Sequence, residues 1–150
     1  MTEPVTALND DLFNQLKQEP FVLLHTIDAD TGSPTSSAIS WIYAVDRTTL
    51  RFAIDGRSRL SANMSSNENV SVTVFAPGSV QTVYGKAALR SEALEEVPFK
   101  LVCFDIEIGH IRDAMFYGAR LSTLPAVVKT YDKRAADKLD GQVFAAMKKA

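Results

Sequence analysis

At 150 residues, with 46% hydrophobic and 23% charged residues, the chain has the length and composition of one globular domain around a single core. A net charge of −2 offers no basic field for a nucleic-acid backbone, and no apolar run approaches the ~20 residues of a membrane-spanning helix. The single Cys103 excludes an internal disulfide, and the opening "MTEPVTALNDDLF" lacks the basic and apolar regions of a secretion signal, so a reducing, cytoplasmic setting is expected.

The first predicted element is a short helix in "LNDDLFNQLKQEP". Asn9 is placed to cap it, Asp10 and Asp11 suit its positive end, and Leu8 can staple against Phe13. Leu12, Phe13 and Leu16 share a face, and Pro20 stops the helix. The period then becomes extended. "FVLLHTID" reads as a strand, "DADTGSP" as turn chemistry, "TSSAISWIYAVD" as a second strand, "DRTT" as a tight turn and "LRFAID" as a third strand.

A short helix is predicted over 58–66. "NVSVTVFA" follows with period-two alternation, Pro77 and Gly78 suit a type II turn, and "SVQTVYGKAALRSE" continues as a strand. "FKLVCFDIEIGHIRDA" is a long extended run with Val102, Phe104, Ile106 and Ile108 on one face. "MFYGARL" is read as a further strand. The end returns to helical spacing through Ala136, Leu139, Val143 and Met147, with Asp132 as cap and Lys148 and Lys149 at the negative end. Six or seven short strands with hairpin-like connections, an internal helix and a helix at each end predict a mainly β chain. The expected architecture is an antiparallel barrel with flanking helices in one domain spanning residues 1–150.

The usual catalytic signatures are absent. His25 and His110 have no ligand-spaced partner, Cys103 has no second cysteine, and no metal site is expected. G-x-S-x-G, the P-loop and G-x-G-x-x-G do not occur. Asp105 and Glu107, two apart on a strand, read either as an acid pair or as a solvated sheet face, the second being the commoner arrangement.

One stretch stands out: "DGRSRLSANM", residues 55–64, where a strand turns into a helix. Gly56 permits the turn and Ser58 is placed as N-cap, so the first helical amides point outward with the positive end of the dipole behind them. Arg57 and Arg59 add two charges, and arginine suits phosphate oxygens. This is a physical recipe for a phosphate site, competing with the plainer reading of a capped, solvated helix.

The order of elements and the segments "PTSSAISWIYAV", "LRFAIDGRSRLSANMSSNENVSV" and "VYGKAAL" resemble the flavin-binding split-barrel family that includes pyridoxamine 5'-phosphate oxidase, over roughly residues 8 to 90. The more variable end resembles the small, stress-associated members. The run from strand through S-R to Asn63, Asn67 and Val70 carries most of the likeness. The resemblance implies a homodimer with FMN at the subunit interface. The strand matching Ser37, Ala38, Ile39, Ser40, Trp41 and Ile42 would lie along the flavin and give it backbone hydrogen bonds. Ala53 and Ile54 would end the next strand, and Ser58 and Arg59 would face the phosphate. Trp41 reads as core more readily than as a flavin-stacking ring.

Three positions depart from the family pattern: Leu60 stands where lysine is common, Ile54 where threonine is common, and Ser37 where the oxidase has a basic residue. Each lost phosphate contact is worth ~1.5–3 kcal/mol, tenfold or more in affinity, and Arg57 is placed to replace one. The R-L-x-P segment near the oxidase C-terminus has no counterpart, since "ARLSTLP" lies well inside the chain, so vitamin B6 chemistry is not expected. Two classes of function therefore stand: a flavin-dependent oxidoreductase acting on a small substrate, or a binding or stress-response module carrying flavin, haem, a deazaflavin or no cofactor. Haem would need an axial ligand from His25, His110, Cys103 or a tyrosine. Tyr43, Tyr84 and Tyr117 are candidates only to line a pocket, and no side chain is assigned as general acid or base.

Overall fold

The computed structural model describes residues 3–150. Helix α1 (Asp10–Gln15) precedes strands β1 (Val22–Ile27), β2 (Pro34–Ile39), β3 (Ile42–Asp46) and β4 (Thr49–Asp55). Helix α2 (Arg59–Ser66) follows, then β5 (Asn69–Ala76), β6 (Ser79–Ser91), β7 (Leu101–Asp113) and helix α3 (Lys133–Lys149). The seven strands form one antiparallel sheet in the order β2-β1-β5-β6-β7-β4-β3.

That order dictates the shape. The edge strands β2 and β3 are consecutive in the chain, with only Ser40 and Trp41 between them. Three peptide steps span at most ~11 Å, so the two edges of the sheet meet at this link and the sheet must curl. No ladder joins β2 to β3 among the described residues, and the barrel is split along that seam. The fold is the expected mainly β split barrel with flanking helices.

Alternation fills the interior. Val70, Val72 and Val74 of β5 point inward, as do Leu50, Phe52 and Ile54 of β4 and Val102, Phe104, Ile106 and Ile108 of β7. Phe52 and Phe104, opposite each other across the β4–β7 ladder, stack at 5.7 Å. Leu8, Leu12 and Leu16 bring α1 into the same core. Asn9 caps that helix through Leu12 N–H at 2.9 Å. Gly78 takes φ +76°, as the β5–β6 type II turn requires.

A second apolar cluster lies outside the barrel. Val143, Phe144, Ala146 and Met147 of α3 cover Tyr43, Ala53, Leu101 and Cys103. Asp132 caps α3 through Ala135 N–H at 3.0 Å. Arg51, on the outer face of β4, is bidentate to Asp105 at 2.7 and 3.1 Å. It also donates to the carbonyls of Met147 (3.0 Å) and Ala150 (3.4 Å), and Arg90 donates to Ala150 O at 2.9 Å. Two guanidinium groups thus satisfy the carbonyl end of the helix.

Four local expectations are corrected. "MFYGARL" is not a strand; only a single bridge, Gly78 to Leu121, forms there. β7 before it is paired to β6 as far as Asp113 and to β4 over Leu101–Glu107, and Gly118 turns the chain at φ +88°. "TSSAISWIYAVD" is two strands, broken at Ser40–Trp41 where the chain crosses the seam. Helix α1 ends at Gln15, before Pro20 can act, through a turn that leads to Glu19 at φ +52°. Finally, β7 is buried on both faces at Leu101–Phe104, because α3 covers the outer one.

Candidate functional site

The stretch "DGRSRLSANM" sits where β4 leaves the sheet beside the seam. Asp55 organises the turn: its carbonyl accepts from Ser58 N–H (2.9 Å), and its carboxylate accepts from Arg57 N–H (2.8 Å). The Ser58 hydroxyl accepts from Leu60 N–H at 3.2 Å and caps α2. Buried Asn63 ties this helix to the β1–β2 hairpin, accepting from Ala29 N–H at 2.9 Å and donating to Thr26 Oγ1 at 3.1 Å. The N-x-x-x-N pattern thus has a structural explanation: Asn63 anchors α2 to β1, and Asn67 ends the helix.

Between this turn and the seam lies a cleft of about 550 Å³. Its wall contains Ser37, Ala38, Ile39, Ser40, Trp41, Ala53, Ile54, Ser58 and Arg59, that is, every residue expected at the site except Ile42. The Ile42 side chain is fully buried in the barrel core. The β2 edge leaves alternate backbone amides and carbonyls without ladder partners among the described residues, beside the groove that Ser37–Ser40 line. The Trp41 carbonyl accepts from Ala53 N–H at 2.9 Å, joining the link to β4. The indole of Trp41 turns toward α3, donates to Asp140 at 2.8 Å and lies 6.4 Å from Phe99. It packs partly buried against the outer cluster and lines the cleft on its other side.

Electrostatics separates the two arginines. Arg57 folds back onto Asp55 at 3.1 Å, nearly fully exposed, and does not line the cleft. The expectation that it substitutes for a lost phosphate contact is not supported by this placement. Arg59 does line the cleft, but it is already engaged. Its Nε and Nη2 hold Asp28 at 2.7 and 3.1 Å, and Nη2 also reaches Asp30 at 2.9 Å. Asp28 also accepts from the Thr31 amide (2.8 Å) and hydroxyl (3.0 Å) and from the Asp30 amide (3.1 Å). The Arg59 guanidinium, with help from these donors, holds the Asp28 carboxyl well below the usual carboxylate range. The same pairing raises Arg59 further above its already high value.

Asp28, Thr35, Asp55 and Asn63 also line the cleft but were not expected there. "DADTGSP" announces a turn; nothing in it says that the turn closes over the N-terminus of a helix 30 residues on. Of the departures, Ile54 and Leu60 contribute to the barrel core as well as to the cleft wall, and Ser37 remains on the wall.

The residues present fit a planar ring better than a dianion. The ring end offers an apolar groove with open backbone polar groups. The phosphate end offers the Ser58 turn and Arg59, whose Nη1 makes no hydrogen bond among the described residues, yet two carboxylates share that guanidinium. Haem fits poorly, because no histidine, cysteine or tyrosine is among the described residues lining the cleft. His25 bonds Ser36 and Thr73 at 2.8 Å each, and His110 stacks on Tyr84 at 4.5 Å. Cys103 is buried and its thiol pushed up to about 11. Tyr43 packs under α3, and Tyr117 is exposed. No three ligand-type side chains cluster for a metal among the described residues. Asp105 belongs to Arg51 rather than to an acid pair with Glu107.

Comparison with solved structures gives the same architecture at low identity. A candidate pyridoxamine 5'-phosphate oxidase from Lactobacillus delbrueckii is 18% identical with a TM-score of 0.61, over 72% of this chain and 95% of that one. General Stress Protein 26 from Bacillus anthracis is 18% identical with a TM-score of 0.54, over 67% and 88%. An F420 reductase is 17% identical with a TM-score of 0.59, over 70% and 98%. At such identities the likeness is one of fold. No curated protein matches the sequence. The family model described as pyridoxamine 5'-phosphate oxidase matches residues 8–104, which runs from just before α1 into the first residues of β7 and takes in the whole cleft. On that match, extending over more than half of its length, the chain belongs to the pyridoxamine 5'-phosphate oxidase family.

Proposed function

We propose that the cleft at the seam binds the ring system of a flavin-type cofactor, with FMN the leading ligand, and that the protein works as a homodimer in which a second copy covers the open side. The observation that carries this reading is the convergence of Ser37–Trp41, Ala53, Ile54, Ser58 and Arg59 on one cleft whose backbone edge is unpaired. A flavin held there would supply the electron chemistry. The chain's own residues would orient the ring along 37–41, shield one face and hold the phosphate side chain at the Ser58 turn. An oxidoreductase acting on a small substrate is the function this arrangement supports best. Oxidation of pyridoxamine 5'-phosphate itself is not proposed.

A second reading has one observation in its favour. The titratable groups of the cleft wall are Asp28, Asp55 and Arg59, and each is tied to an opposite charge, so none is poised to move a proton. A cofactor-binding module without turnover suits that wall. A deazaflavin shares the tricyclic ring, and the F420 reductase fold likeness keeps it as an alternative ligand.

The test is an absorption spectrum of freshly purified protein followed by titration with FMN, for wild type and Arg59→Ala. A flavin spectrum or saturable uptake with fluorescence quenching is expected, with the variant binding FMN more weakly. A protein that takes up neither FMN nor a deazaflavin would overturn the reading, and a Soret band would replace it with haem.

A further inference from the structure

The unusual feature of the cleft is that Arg59, the one cation among the described residues of its wall, is held by carboxylates from the β1–β2 hairpin. The two carboxylates are not equivalent. The Asp28 side chain is only 8% exposed and is fixed by Thr31 and the Asp30 amide as well as by Arg59. The Asp30 side chain is 78% exposed, and its single contact is the 2.9 Å bond to Arg59 Nη2. Exposed pairs of this kind are weak and exchange readily. A ligand phosphate approaching the Ser58 turn meets a guanidinium neutralised by buried Asp28 and shared with the exposed like charge of Asp30.

We propose that Asp30 is a specificity-determining residue: it stands in for a ligand phosphate on Arg59, so the cleft gains little from a phosphate and accepts the unphosphorylated flavin nearly as well as FMN. This rests on the flavin reading of the cleft. Binding FMN through Arg59 places the phosphate on the spare Nη1, where it shares a guanidinium already held by two carboxylates and lies beside the repelling charge of Asp30. Riboflavin meets neither, since its ribityl hydroxyls can use the Ser58 turn while Asp30 stays in place. The phosphate preference is therefore cancelled locally.

The test is equilibrium titration of wild type, Asp30→Ala, Asp30→Asn and Arg59→Ala with FMN and with riboflavin, read by flavin fluorescence. Wild type should prefer FMN by less than about threefold, whereas both Asp30 variants should prefer it by about tenfold or more with riboflavin affinity unchanged. Arg59→Ala should show no preference. A wild-type preference for FMN of about tenfold or more that the Asp30 variants leave unaltered would overturn the proposal. If no flavin binds any variant, the flavin reading falls, and melting in graded inorganic phosphate decides the role of Asp30 separately. Asp30→Ala should then gain a phosphate-dependent rise in Tm that wild type and the Asp30→Ala/Arg59→Ala double variant lack. No such gain would overturn it.

Discussion

Arg51 and Arg59 make the same bond in two different places. Each grips an aspartate through Nε and Nη2, with distances of 2.7 and 3.1 Å in both cases. Arg51 is 9% exposed beneath α3, and its Nη1 donates to two carbonyls at the helix end. Arg59 is 60% exposed at the rim of the cleft, and its Nη1 is left over. A guanidinium with every nitrogen in use under a packed helix is a fastening. One with spare donors beside a cavity is available to a ligand. What separates the two roles is the cover, since the pairing chemistry is identical.

The comparison breaks most visibly through Arg51→Ala. It strands Asp105 and the α3 carbonyls in a nearly closed space, so a loss of about 3–5 kcal/mol in urea unfolding is expected, with α3 detaching first. Arg59→Ala should lower the urea midpoint at neutral pH, where the Asp28 pairing is fully in place, but by clearly less than Arg51→Ala, because water reaches Asp28 once the exposed guanidinium is gone, and it should weaken ligand binding. If the two variants are equally destabilised, the distinction between fastening and ligand-facing arginine fails.

Trp41 sharpens the comparison because it is the wall between the two regions. Trp41→Phe removes the donor to Asp140, which keeps its ion pair with Lys129 at 3.0 Å. A loss of about 1–2 kcal/mol, followed by circular dichroism because this is the single tryptophan, is expected with ligand affinity little changed. A collapse of ligand binding instead would mean that the indole contacts the ligand.

The smallest effect lies in acid. The Asp28 carboxyl sits below its ordinary value of 3.8, so its contribution is fully present above that value and is lost as pH falls through the lowered one. Wild type should hold the β1–β2 hairpin onto α2 to lower pH than Arg59→Ala does. An acid-unfolding midpoint identical in the two proteins would show that the pairing adds nothing to stability.

Much of this was legible from residue order. The period-two runs of β5 and β7, the caps Asn9, Ser58 and Asp132 and the Pro77–Gly78 turn are local patterns, and each forms as its own chemistry predicts. The cleft residues too were foreseeable through the family resemblance. The false strand at "MFYGARL" shows the limit. Its residues suit a strand, but a strand needs a free edge, and edges are assigned by the whole sheet.

The sequence by itself determined the elements, their caps and turns, the apolar face of each strand and the presence of a cation at a helix start, because these depend on neighbours within a few residues. Only the tertiary structure decided which edges meet, which outer face α3 covers, and that the hairpin carrying Asp28 and Asp30 closes onto Arg59. Those contacts join residues some 30 to 100 positions apart, and their energies depend on burial that exists only once the sheet has curled.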